Sequence, residues 1–148
     1  MRTVLISLLA TVLTALCTPP AAAGQPASLP RHHAPAGARV YIISPADGAT
    51  VGPRFTVRFG LDGMGVAPAG VEKDKTGHHH LLIDVDKLPP GDMPMPADGQ
   101  HLHFGGGQTQ TDLELAPGTH TLQLDLGDAR HMQFDPPLVS KRITIHVK

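Results

Sequence analysis

Residues 54–61 read RFTVRFGL. Phe55, Val57, Phe59 and Leu61 alternate with Thr56, Arg58 and Gly60, the period of two expected of a strand with one buried face. The segments on either side have the same character. RVYIISP, from Arg39, is a first strand closed by the turn SPADGA, and HHHLLIDVD, HLHF and TDLEL follow downstream. HTLQLDLGD sets His120, Leu122, Leu124 and Leu126 on one face, and KRITIHVK turns Ile143, Ile145 and Val147 inward. Between them lie two long Gly/Pro loops, DGMGVAPAGVEKDKTG and KLPPGDMPMPADGQ, which exclude regular structure. About seven short strands with turn signals between them, and no major helix, define an all-β chain. Their spacing fits an immunoglobulin-like antiparallel β-sandwich.

The domain spans residues 39–148. Residues 1–23 have one basic residue, Arg2, an apolar run from Val4 to Leu16 and a terminal Ala21-Ala22-Ala23, the layout of a secretory signal peptide. Residues 24–38, rich in Pro, Ala and Gly, are expected to be a flexible leader with little to bury. The protein is therefore expected to be periplasmic or secreted, with no membrane attachment after cleavage. Cleavage after Ala23 would remove Cys17, the only cysteine, leaving neither disulfide nor thiolate ligand. A net charge of −1 gives no electrostatic case for nucleic acid, and four Phe, one Tyr and no Trp leave few stacking platforms.

Histidine is the unusual component. The chain has ten, all after the expected cleavage site. His-x-His on a strand sets two imidazoles on one face, about 7 Å apart at Cα, close enough to hold one ion. The pattern occurs twice, as His78-x-His80 and His101-x-His103. Tracing the strands up and down a sandwich brings both pairs to one end, together with the glycine run 105–107 and the loop carrying Asp128, His131 and Met132. The expected metal ligands are His78, His80, His103 and His131. His101 is an outer ligand or neighbour of the site, and Asp128 and Met132 are auxiliaries. Imidazole donors with carboxylate or thioether suit a copper or zinc ion. His79, facing the other way, is expected to make a structural hydrogen bond or to support the metal ligands from behind, and His120 to pack or cap at the opposite end. The loop methionines Met64, Met93 and Met95 are expected to pack their loops, although DMPMP is also similar to exposed methionine motifs that recruit copper.

The stretches SPADGATV, FTVRFGLDGMGVAPAG, TGHHHLLID, HLHFGGGQT, APGTHTLQLDLGD and DPPLVSKRITI resemble an uncharacterised family of bacterial exported proteins, domain of unknown function 4399. The resemblance implies an exported single-domain protein and no particular activity. The SPADGATV opening of a cysteine-free sandwich is also similar to CopC-type periplasmic copper carriers. The paired histidines and glycine run are similar to copper–zinc superoxide dismutase, without its cysteines. Three functions stay open at this point: a metal carrier or buffer, an envelope interaction module with structural histidines, and a metal-dependent enzyme. The partners expected are a metal ion and, as a candidate, another envelope protein. No phosphate loop or nucleophile elbow is present.

Overall fold

The computed structural model describes residues 30–148; the expected signal peptide, Cys17 and the leader up to residue 29 lie outside the described residues. Among the described residues, nine strands form two sheets: β1 (Arg39–Ser44), β2 (Thr50–Val51), β3 (Arg54–Asp62), β4 (Gly65–Val66), β5 (Thr76–Ile83), β6 (His101–His103), β7 (Gln110–Glu114), β8 (Gly118–Gly127) and β9 (Ile143–Val147). One sheet has the order β1-β3-β7 and the other β2-β9-β8-β5-β4, with β6 also paired to β5. The described residues contain no helix long and apolar enough to cross a membrane.

All seven strands read from the sequence are present. The two additions, β2 and β4, are two-residue strands that pair in parallel with β9 and β5. A pair of residues is too short to show a hydrophobic period, so alternation could not reveal them.

The core lies between the sheets. Val57 and Phe59 of β3, with Val40 and Leu113, meet Leu81, Ile83, Leu122, Leu124, Ile143, Ile145 and Val147 from the larger sheet. Residues directly opposite across an antiparallel pair share a face. Leu81 faces Leu124 and Ile83 faces Leu122, so His78, His80 and Leu82 on β5, with Gln123, Asp125 and Gly127 on β8, point to the other side of that sheet. His79 points inward. It is fully buried, and its ring lies 5.2 Å from that of Phe59. The expected hydrogen-bonded strand-end residue is thus a core residue in contact with an aromatic ring.

Residues 30–35 run along the loop that follows β8. Arg31 donates Nε–H to the Gln133 carbonyl at 3.1 Å and pairs with Asp135 at 3.6 Å, the His32 carbonyl accepts from Asp135 N–H, and Arg130 donates to the Pro30 carbonyl at 2.9 Å. The segment is held by hydrogen bonds and ion pairs rather than by apolar burial, so its composition carried no sign of this.

His120 sits at the far end of β8. Its Nδ1 lies 2.7 Å from Asp84 Oδ2 and its Nε2 3.0 Å from the Ala116 carbonyl, while Asp84 Oδ1 accepts the Thr121 N–H. Two acceptors facing one ring favour the doubly protonated imidazolium, and the Asp84 hydrogen bond, foremost, raises its pKa. A raised folded-state pKa stabilises the protein fully below the unfolded value, near ~6.5, and that contribution is lost as pH rises through the folded value. His120→Ala is expected to cost about 1–3 kcal/mol in chemical denaturation at pH 5.5 and less at pH 8.5. A pH-independent deficit would remove the charged pair from this account.

Candidate metal centre

Four imidazoles meet on the outer face of the larger sheet. β5 supplies His78 and His80, two residues apart on one face. β6 lies beside β5 and sets His103 directly opposite His80. The loop after β8 returns His131, whose backbone takes the left-handed conformation at φ 66°. One donor atom from each of His78, His80 and His103 lies within 4.8 Å of the others. The ring centroids of His131 lie 5.0 Å from His78, 4.6 Å from His103 and 6.1 Å from His80, and its Nε2 is 3.0 Å from that of His103. Around a tetrahedral zinc with Zn–N bonds near 2.0–2.1 Å, the donors stand about 3.3 Å apart. For His78, His80 and His103, side-chain adjustments on the order of 1 Å would bring the donors to that spacing.

Glycines make room for the rings. A Cβ on Gly127 would meet His80 Cε1 at 2.8 Å and the methyl of Met95 at 2.7 Å, and one on Gly105 would meet His103 Cε1 at 2.3 Å. Any side chain at these two positions would push a histidine out of the cluster. The glycine run that follows HLHF therefore supplies space for an imidazole rather than a donor.

The cluster is closed at the back and open at the front. His78 and His80 are 0% and 1% exposed, whereas His103 is exposed and His131 half-buried. Neither ring nitrogen of His78 or of His80 has a hydrogen-bond partner in the protein. Burial, followed by the neighbouring imidazoles, lowers the His78 pKa to about 4 and that of His80 to about 3. His103 is lowered for the same reasons, burial first and His131 second. All three are thus held as neutral imidazoles, the form that ligates a metal.

The remaining expected site residues have other roles. His101 stands opposite Leu82, one step further along the strand, and its Nδ1 lies 2.9 Å from Asp98 Oδ1. It is engaged by its own turn and stays outside the cluster. Asp128 braces the loop: Oδ1 accepts the backbone N–H groups of Arg130 and Met132, and Oδ2 receives Arg130 and lies 3.4 Å from His32. Its charge still reaches His78, whose protonated form it favours. Met132 is fully buried beside His131. Two further residues adjoin the cluster: Met95, read from the sequence as loop packing, and Asp125, which was missed. Met95 is buried, donates its backbone N–H to the His131 carbonyl at 2.8 Å and rests its methyl near the His80 ring. Asp125 is fully buried directly opposite His80, and its pKa is raised to about 7, by burial above all. Alternation along HTLQLDLGD already placed Asp125 on the face away from the leucines. The signal was available, but it needed the β5–β8 register to become meaningful.

No curated protein matches the chain. Among solved structures, the PKD domain (329–428) of human KIAA0319 is similar at 12% identity and a TM-score of 0.41, over 84% of this chain and 91% of that one. Nothing in these comparisons supports the likeness to CopC-type carriers. The family model described as "Domain of unknown function (DUF4399)" matches residues 57–148, a span that holds every histidine of the cluster. The chain belongs to the DUF4399 family.

Proposed function

We propose that this protein is an exported metal-binding protein that carries or buffers copper or zinc through His78, His80, His103 and His131. The observation that carries this reading is the pair of buried imidazoles, His78 and His80, whose ring nitrogens have no partner in the protein. A buried polar group left without a hydrogen bond costs about 1–3 kcal/mol, and a metal bond repays that cost. Two further imidazoles at the same point supply a donor set typical of Cu(II) or Zn(II). A closed back and an open front suit a protein that must both hold an ion and release it. The signal peptide read in residues 1–23 would deliver it to the periplasm or the medium.

Titration of the tag-free mature chain with Cu(II), Cu(I) and Zn(II) tests the proposal. One equivalent of tightly bound metal is expected. His78→Ala and His103→Ala should each weaken binding by orders of magnitude, and His101→Ala, held by Asp98, should change it little. No uptake at micromolar metal would leave the histidines structural and favour an envelope interaction module.

Acid should reveal the buried imidazoles in the metal-free protein. His78 and His79 titrate at about 4 and His80 at about 3, against ~6.5 for a free histidine. These folded-state values are lowered, so the unfolded chain binds more protons between them and ~6.5. Their stability contribution is present above ~6.5 and is lost as pH falls through that window. Asp125, raised to about 7, works in the opposite direction, but it is one group against three. The melting temperature of the metal-free protein is therefore expected to fall steadily from pH 6.5 to pH 4. A flat profile there would mean that the three histidines are hydrated in solution.

A further inference from the structure

Asp125 has no role in the core, and the metal reading alone leaves it unexplained. It lies near the C-terminal end of β8, directly opposite His80, and His80 in turn lies directly opposite His103 on β6. The three side chains form a row across the sheet: His103, His80, Asp125. Opposed residues in an antiparallel pair bring their Cβ atoms to about 4.5–5.5 Å, within reach of a carboxylate–imidazole hydrogen bond. Asp125 is fully buried, with one oxygen engaged and one free. Gln133 donates Nε2–H to Oδ2, while Oδ1 has no partner. Gln133 is itself fixed, through its backbone bridge to Gly127 and the Arg31 bond to its carbonyl. Asp125 is not one of the donors that fall within 4.8 Å of one another.

We infer that Asp125 is the positioning residue of this centre: its Oδ1, unpaired here like both ring nitrogens of His80, accepts the N–H of the His80 ring nitrogen turned away from the ion once a metal is bound. The inference rests on the metal reading above. The hydrogen bond fixes the His80 tautomer, aims its lone pair at the cluster and makes the imidazole a stronger donor, as carboxylates behind metal-bound histidines do. When ionised, it also brings one negative charge to a set of donors that are otherwise all neutral. Gln133 holds the second oxygen, so the carboxylate cannot swing in to become a ligand itself.

The test is a double-mutant cycle on the mature chain, with Zn(II) as the probe and affinities measured by competition. Asp125→Asn is expected to weaken zinc binding by about 10–100-fold in the wild-type background and to add nothing in the His80→Ala background, because its effect passes through that ring. An unchanged affinity in Asp125→Asn, or the same factor lost in both backgrounds, would overturn the inference. Should the substituted protein fail to fold, the zinc-loaded wild type still decides. A downfield, slowly exchanging ring N–H proton on His80 is expected in its NMR spectrum, and a rapidly exchanging one would refute the assignment. Wild-type protein that takes up no metal at all would remove the metal reading together with this inference. Uptake with no effect of Asp125→Asn would remove only the inference.

Discussion

The register between β5 and β8 is the constraint on which the rest depends. Six consecutive pairs, from His78↔Gly127 to Ile83↔Leu122, set two faces at once. On the inner face they match Leu81 with Leu124 and Ile83 with Leu122, which form the middle of the core. On the outer face the same pairs match His80 with Asp125 and His78 with Gly127. A slip of one residue would send the leucines outward and the histidines into the core. The free energy of apolar burial that selects the register therefore also fixes the histidine cluster. The site needs no stabilisation of its own to be placed, because the hydrophobic effect on the opposite side of the strand does that work.

This coupling explains why so much was legible in the sequence. Alternation along RFTVRFGL, HTLQLDLGD and KRITIHVK identified the core faces, and two His-x-His pairs on strands implied same-face imidazoles. Convergence of His78, His80, His103 and His131 followed from tracing the chain up and down. The depth of the site did not follow. The histidines were expected at an open strand end, yet His78 and His80 are sealed beneath the Met95 and His131 loops. Loop coverage depends on tertiary contacts that no period along a strand encodes.

Local hydrogen bonding accounts for the departures among the remaining candidates. His101 and Asp98 are three residues apart and close on each other, so the second His-x-His pair is divided between a turn and the cluster. Asp128 follows a strand and uses its carboxylate to cap the backbone of the next turn, a habit of aspartate at loop starts. In both cases a nearby backbone or side-chain partner competes for the group. Asp125 was overlooked, and Met95 was not linked to the histidines, for the converse reason. One sits within a leucine-rich strand and the other between prolines, and only pairing across the chain reveals what they face.

The hydrogen-bonded strap at residues 30–35 has a further consequence. It joins the beginning of the described chain to the backbone immediately after His131, through Gln133, Phe134 and Asp135. The loop that carries the fourth imidazole is thereby tethered at both ends: on one side by Asp128, on the other by residues that precede the first strand. The entry of the chain into the domain is mechanically part of the histidine loop. The peptide at Pro30 to Pro35 through which the chain enters the domain is the same one that braces the loop presenting the His131 ring.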